Sequence, residues 1–194
     1  MDLFEAIIKR RDTRHFTNEE VPSTVIDTCL KAAKNAPSVG LTEPARFLFI
    51  HDTVTKQKIY EIFEVENQKA ADKITDIQRK EAYNKLKLQG IMEAPLGMIV
   101  CSDYSTIKAD TIGVQTIAEA LDWSVCCSIQ NFWLALTSQG FSMGWVSILD
   151  VKKLKETIQI PDHYKPLGYF CIGRPATNYD NMPMLKQQGW TNTL

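Results

Sequence analysis

The spacing of apolar residues predicts two helices near the amino terminus. The first helix follows an N-cap carboxylate, Asp2, and its apolar face consists of Leu3, Phe4, Ile7 and Ile8. The second helix opens at Pro22 and Ser23, and its apolar stripe consists of Val25, Ile26, Cys29, Leu30 and Ala33. Pro37 disfavours helical backbone at the residue before it, so this helix should end there and lead into a turn over residues 36–44.

Continuous apolar runs predict the strands of a buried sheet. These runs are residues 46–51, 96–101, 143–149 and 167–172. Residues 53–89 are rich in Lys, Glu and Gln, with apolar residues at helix-like spacing, which indicates one or two solvent-facing helices that could act as a lid. Asp150 is placed to cap a further short helix that runs through Ile158.

The longest apolar stretch predicts a buried central helix from about residue 114 to 138. Its main stripe consists of Val114, Ile117, Ala118, Leu121, Val125, Ile129, Phe132, Trp133 and Leu136. Other apolar residues, such as Trp123 and Cys127, lie off that stripe, so most faces of the helix should be buried. A chain of this size has little core to spare, and we therefore expect a second copy of the chain to cover part of the helix. The unpatterned region after Gly173 is interpreted as an extended arm.

Length, charge and cysteine usage restrict the class of protein. The 194 residues suit a single domain over residues 1–194, and the net charge of −1 gives no electrostatic reason to expect nucleic acid or an anionic membrane as partner. The five cysteines form no C-x-x-C pair, and we interpret them as small buried residues of a reduced, cytoplasmic protein. The three histidines are far apart, so no metal site is predicted. No secretory leader or membrane span is expected.

Two polar clusters carry the candidate chemistry. The run Arg10-Arg11-Asp12-Thr13-Arg14 is either a solvated basic helix end or a set of guanidinium groups that clamps a phosphate. The run Trp145-Val146-Ser147-Ile148 is either a buried strand whose serine bonds the backbone or a strand edge with a hydroxyl facing a planar cofactor. Motifs for dinucleotide binding, a phosphate loop, nucleophilic serine or zinc hydrolysis are absent, which argues against a Rossmann domain.

Taken in order, these segments resemble the nitroreductase superfamily. The resemblance rests on R-R-x-x-R at residues 10–14, A-P-S-x-x-x-x-x-P at 36–44, E-A-P-L at 93–96 and G-W-V-S-I at 144–148. Within the superfamily the chain is most similar to the BluB group, the 5,6-dimethylbenzimidazole synthases. The features shared with that group are Asp12, S-V-G-L at 38–41, C-x-I-Q-N-x-W-L-A at 127–135, G-W-V-S-I-L-D at 144–150 and the Gly189-Trp190 arm. The Thr42-Glu43-Pro44 sequence resembles the iodotyrosine deiodinase branch instead.

The resemblance implies an α/β (α+β) fold with a mixed sheet flanked by helices, a long buried central helix and an extended C-terminal arm. It also implies a homodimer that binds FMN. Arg10, Arg11 and Arg14 would hold the FMN phosphate and ribityl chain, and either Arg174 or Lys186 would complete the phosphate site. The flavin would be contacted by Ser38, Gly40, Trp145, Val146 and Ser147.

The activity implied is the oxygen-dependent conversion of reduced FMN to 5,6-dimethylbenzimidazole, the lower ligand of vitamin B12. Asp12 would act as the acid–base group, and Ser147 would position the proton path or a water. A separate flavin reductase would supply the reduced FMN. Two alternatives stay open: an FMN-dependent NAD(P)H nitro- or quinone reductase, against which Asp12 argues, and a flavin-binding or redox-sensing module without turnover.

Overall fold

The computed structural model describes residues 1–177 and 182–190. The helices and strands occur in the order α1 (Leu3–Lys9), α2 (Ser23–Lys34), β1 (Ala45–Ile50), α3 (Thr53–Asp72), α4 (Ile77–Asn84), β2 (Leu96–Asp103), α5 (Ala120–Ser138), β3 (Ser142–Val146), α6 (Val151–Ile158), β4 (Tyr164–Gly173) and α7 (Met184–Gln187). The predicted α/β class is therefore confirmed. None of the helices within the described ranges combines the length and apolarity needed to cross a membrane.

The four strands form one sheet in the order β1-β2-β4-β3. Each neighbouring pair in this sheet is antiparallel. A single parallel bridge joins Asp12 to Met143 and lays the arginine-rich run beside the edge strand β3. The one parallel contact that the described residues show is therefore made by the segment that carries the candidate chemistry.

Alternate residues of the sheet pack into two separate hydrophobic cores, because successive side chains of a strand point to opposite faces. On one face Met98 and Phe170 pack in a cluster with Phe132 of α5. On the other face Ile99 and Tyr169 pack in a cluster formed with α3 and α6. The charged stretch that forms α3 and α4 is thus not wholly solvent-facing, since α3 supplies a buried apolar stripe to this second core.

Aspartates begin four of the helices, as local capping chemistry predicts. Asp2, Asp52, Asp76 and Asp150 each accept a hydrogen bond from the backbone N–H three residues further on. Each bond satisfies one of the N–H groups that a helix leaves unpaired at its first turn. The starts predicted for α1 and α6 are confirmed.

The central helix is shorter than predicted. It begins at Ala120 rather than near residue 114, and residues 114–119 form turns. The backbone at Ile112 packs against Gly40, where an added Cβ would lie 2.7 Å from the Ile112 carbonyl oxygen, and Gly113 has a φ of +90°. This close approach and the positive φ lie directly before residues 114–119, and apolar periodicity contains no information about either, so periodicity alone placed the boundary wrongly.

Two further predictions need correction. The third strand ends at Val146, so Ser147 and the two residues after it lie beyond the sheet. Among the cysteines, Cys29, Cys101 and Cys171 are buried as expected, whereas Cys126 is half-buried and Cys127 is exposed. Cys127 lies on a face of α5 that this one copy of the chain leaves open, as does Trp123, whose exposure is 55%.

Candidate functional site

The end of α1 delivers the arginine-rich run to the edge of β3. The Thr13 backbone N–H donates to the Met143 carbonyl oxygen at 3.0 Å, and the buried Thr13 hydroxyl bonds that of Ser142. A Cβ at Gly144 would lie 2.0 Å from the Thr13 carbonyl oxygen and 2.5 Å from Nη1 of Arg14. Glycine in the G-W-V-S-I motif therefore lets two backbone segments approach within contact distance.

Asp12, Arg14 and the Trp145 backbone form a closed hydrogen-bonded unit. Nη1 and Nη2 of Arg14 donate to Oδ1 and Oδ2 of Asp12, each at 2.6 Å. The Trp145 N–H donates to Asp12 Oδ1 at 2.8 Å, and Arg14 Nη2 donates to the Trp145 carbonyl oxygen at 3.0 Å. The side-chain exposure is 7% for Arg14 and 48% for Asp12, so the guanidinium lies inside and the carboxylate opens outward.

A cavity of about 170 Å³ opens beside this unit, and we call it the arginine cavity. Its lining consists of Arg10, Arg11, Asp12, Arg14, Leu88, Pro183, Met184 and Leu185. Polar groups from the end of α1 form one wall, and apolar side chains from the loop after α4 and from the C-terminal segment form the other. Such a cavity suits a ligand that carries both an anionic group and an apolar or aromatic part.

The other two arginines of the run are tied to their surroundings in different ways. The Arg10 guanidinium lies over the Trp133 ring, 4.6 Å from its centroid. Burial lowers the pKa of Arg10 and the Asp12 charge raises it, yet a guanidinium stays protonated at neutral pH. Nη1 of Arg11 donates to the carbonyl oxygens of Ile8 and Arg10 at the end of α1. Both cations are therefore held at the rim of the arginine cavity by α1 and α5.

The C-terminal segment, residues 182–190, closes the cavity from outside. The Trp190 ring meets Tyr83 of α4 edge-on with centroids 5.9 Å apart, and the Arg79 guanidinium lies 4.2 Å from its centroid. The Trp190 N–H also donates to the Leu185 carbonyl oxygen at 2.8 Å. This aromatic contact anchors the end of the arm on α4 and keeps α7 against the cavity.

The two cations considered for a completed phosphate site lie in different places. Arg174 forms a two-pronged ion pair with Glu19 at 2.5 and 2.8 Å and covers the Phe141 ring, and it is not part of the cavity lining. Lys186 is an exposed residue of α7, directly after Leu185 in the cavity wall. Position therefore favours Lys186 over Arg174.

The remaining predicted contacts do not meet in one copy of the chain. Ser38 lines a second cavity of about 230 Å³ between α2 and β1, where its Oγ accepts from the Glu43 N–H at 2.8 Å. Gly40 belongs to the same turn, with a φ of +55°.

The residues at the end of β3 lie elsewhere. Ser147 is exposed and lines an open depression of about 600 Å³ beside α3. Val146 is 1% exposed and belongs to the second core. The Trp145 ring packs on Phe170, and only its backbone reaches Asp12.

Sequence reasoning missed the apolar wall of the arginine cavity. Leu88 lies at the end of a charged stretch and outside any predicted strand or helix stripe, and residues 183–185 follow no helical or strand pattern. The one available signal was the Gly189-Trp190 arm, because an aromatic residue near a chain end needs a surface to pack on.

The fold and the site define the class of protein. The model of the Nitroreductase family matches residues 7–174. The chain therefore belongs to this family of flavin-dependent oxidoreductases. The 5,6-dimethylbenzimidazole synthase of Rhodospirillum rubrum is 34% identical over 93% of this chain and 85% of its own length. The iodotyrosine deiodinase of Hydra vulgaris is 29% identical over 96% of this chain and 70% of its own length.

Solved structures share the same fold. An iodotyrosine deiodinase crystallised with FMN and 3-iodo-L-tyrosine superposes with a TM-score of 0.78 at 21% identity, covering 94% of each chain. A BluB-like flavoprotein from Clostridium difficile superposes with a TM-score of 0.73 at 20% identity, covering 93% of each chain. The predicted family, and the similarity to the synthase group, are both confirmed.

Proposed function

We propose that the arginine cavity binds FMN. Arg10 and Arg11 line the cavity and supply positive charge for a phosphate. Lys186 directly follows Leu185 of the cavity wall and would add a third cation. The apolar wall of Leu88 and Leu185 suits the ring system of a flavin.

We propose further that the protein converts reduced FMN and dioxygen to 5,6-dimethylbenzimidazole. The observation that supports this is Asp12, a half-exposed carboxylate held at the cavity wall by Arg14 and the Trp145 N–H. The reactivity toward dioxygen is supplied by the reduced flavin, and the protein contributes binding, orientation and proton transfer. An enzyme that must move several protons near one ring needs a titratable group at that place.

Asp12 is assigned the proton transfers through its carboxylate oxygens, since its outer side is open to the cavity while its inner side is fixed. Ser147 is assigned the positioning of a water or proton path, because its hydroxyl is exposed immediately after β3. The Trp145 backbone would link the two residues, because its N–H donates to Asp12 and Ser147 follows two positions later.

A homodimer would complete the site. The apolar face of α1 is unpartnered in one copy, with exposures of 62% for Leu3, 75% for Phe4 and 56% for Ile8. Ser38 and Gly40 also lie in a cavity apart from the arginines, so a second copy has to bring that turn to the flavin. We propose that reduced FMN is supplied by a separate flavin reductase, and that the protein acts in the cytoplasm, where five unpaired cysteines stay reduced.

A nitro- or quinone reductase is the second candidate. The open depression beside Ser147 is wide enough to admit a second substrate, as a reductase that alternates between NAD(P)H and an acceptor requires.

The test is an aerobic reaction started with reduced FMN and followed by chromatography. Wild-type protein should form 5,6-dimethylbenzimidazole, and Asp12→Asn protein should bind FMN without forming it. Rapid NAD(P)H oxidation with a nitroaromatic acceptor and no benzimidazole would establish the reductase instead.

A further inference from the structure

We propose that Arg14 is a positioning residue for Asp12 rather than a ligand of the flavin phosphate. This inference rests on the proposed function, in which Asp12 handles the protons of the reaction. It assigns the phosphate to Arg10 and Arg11 and gives the third arginine of the motif a different task.

The guanidinium of Arg14 has its terminal nitrogens already occupied. Both terminal nitrogens of Arg14 already donate to the two oxygens of Asp12 in the parallel fork that a carboxylate and a guanidinium prefer. Nη2 also donates to the Trp145 carbonyl oxygen. A phosphate could engage these nitrogens only by displacing the carboxylate.

Arg14 and Asp12 differ in burial. Arg14 is 6% exposed and lies behind Asp12, whereas the Asp12 side chain is 48% exposed. A buried guanidinium needs a partner, because removing the charge that compensates it is costly. Arg14 therefore serves as an internal anchor, and the carboxylate stands between it and the open part of the cavity.

Strand β3 lies at the edge of the sheet. Within residues 1–177 and 182–190 its one strand partner in the sheet is β4, and the Trp145 N–H on the outer side of β3 donates to Asp12 instead of to a strand. Asp12 is thus fixed from two directions, by a side chain and by an edge N–H. Rotation of the carboxylate requires both contacts to change together.

The experiment compares Arg14→Lys with Arg10→Lys, a matched change in the same cluster. Lysine keeps the charge in both variants but cannot reproduce a two-pronged contact. Three quantities are measured: FMN affinity by fluorescence titration, kcat and KM for benzimidazole formation from reduced FMN, and amide hydrogen exchange of Trp145 in the flavin-free protein.

Arg14→Lys should lower kcat about tenfold and speed Trp145 exchange about tenfold, while FMN affinity stays within about threefold of wild type. Arg10→Lys should weaken FMN binding about tenfold and leave Trp145 exchange within about threefold. The exchange measurement separates positioning from ligand binding because it is made without flavin.

An Arg14→Lys protein that loses FMN affinity about tenfold with unchanged Trp145 exchange would overturn the proposal, as would unchanged kcat. If wild-type protein forms no benzimidazole, the proposed function fails. FMN affinity and Trp145 exchange still decide whether Arg14 holds Asp12 in that case. Arg14→Ala is avoided as the main variant because an empty buried site could prevent folding.

Discussion

Gly144 gives the sharpest test of how the site is assembled. An alanine Cβ at this position would lie 2.0 Å from the Thr13 carbonyl oxygen, against the 3.4 Å at which ordinary contact begins. The second contact, 2.5 Å from Nη1 of Arg14, is with the group that holds Asp12. The backbone of the arginine-rich run would have to move away from β3 by more than an ångström, which breaks the Thr13 to Met143 hydrogen bond.

The magnitude follows from two contributions. Overpacking costs roughly 1–3 kcal/mol and the lost hydrogen bond about 1 kcal/mol, so Gly144→Ala should lower the free energy of unfolding by about 2–4 kcal/mol. A glycine with ordinary φ would otherwise gain stability on replacement by alanine, because the unfolded chain loses entropy. The predicted loss of stability in Gly144→Ala therefore comes from the close contact alone.

The assay is urea unfolding followed by tryptophan fluorescence at fixed protein concentration, together with FMN titration. Gly189→Ala is the control, since a Cβ there meets nothing within 4 Å although its φ of +73° carries a strain of about 1 kcal/mol. Gly144→Ala protein with wild-type stability and wild-type FMN affinity would refute the idea that this glycine brings the two segments together.

Four further outcomes are expected. Asp12→Asn should retain FMN and abolish benzimidazole formation, measured by titration and chromatography; product at the wild-type rate would remove Asp12 from proton transfer. Trp190→Ala should speed FMN release about tenfold in stopped-flow measurements, because its ring contacts keep the arm closed. Phe4→Glu should convert a dimer to a monomer in sedimentation, and a monomeric wild type would contradict the proposed assembly. Burial raises the pKa of Asp103, but hydrogen bonds from Ser105 and nearby positive charges lower it overall. Its stabilising contribution is therefore present above the ordinary carboxylate pKa and lost as pH falls through the lowered one, so Ser105→Ala should unfold at higher pH in acid titration.

Local signals in the sequence were sufficient for most helices and strands. Aspartate is a preferred N-cap residue because its carboxylate accepts a backbone N–H of the first turn, so Asp2 and Asp150, each followed by apolar residues at helical spacing, marked α1 and α6 without knowledge of the fold. Continuous apolar runs marked the buried strands, because a strand covered on both faces has no polar side. The density of arginines at the end of α1 was likewise visible as a candidate anion site.

The functional geometry required tertiary structure. The bonds from the Trp145 backbone to Asp12 and from Arg14 to Trp145 join residues 133 and 131 positions apart. No local propensity encodes a contact between residues so far apart in the chain. The sequence therefore did not show that Arg14 and Asp12 form a two-pronged ion pair held against Trp145. The same limit applies to the start of α5, which lies at Ala120 although apolar residues at helical spacing begin at Val114.

The distance between the predicted flavin contacts is also set by the tertiary structure. The family resemblance implied that Ser38 and Ser147 both contact the flavin, and the fold puts them in different depressions of a single copy. The sequence by itself therefore determined which residues can bind an anion or move a proton, because these are properties of side chains. Which of them act together was decided by the packing of distant segments, since hydrogen bonds and close contacts depend on positions that only the assembled sheet and helices fix.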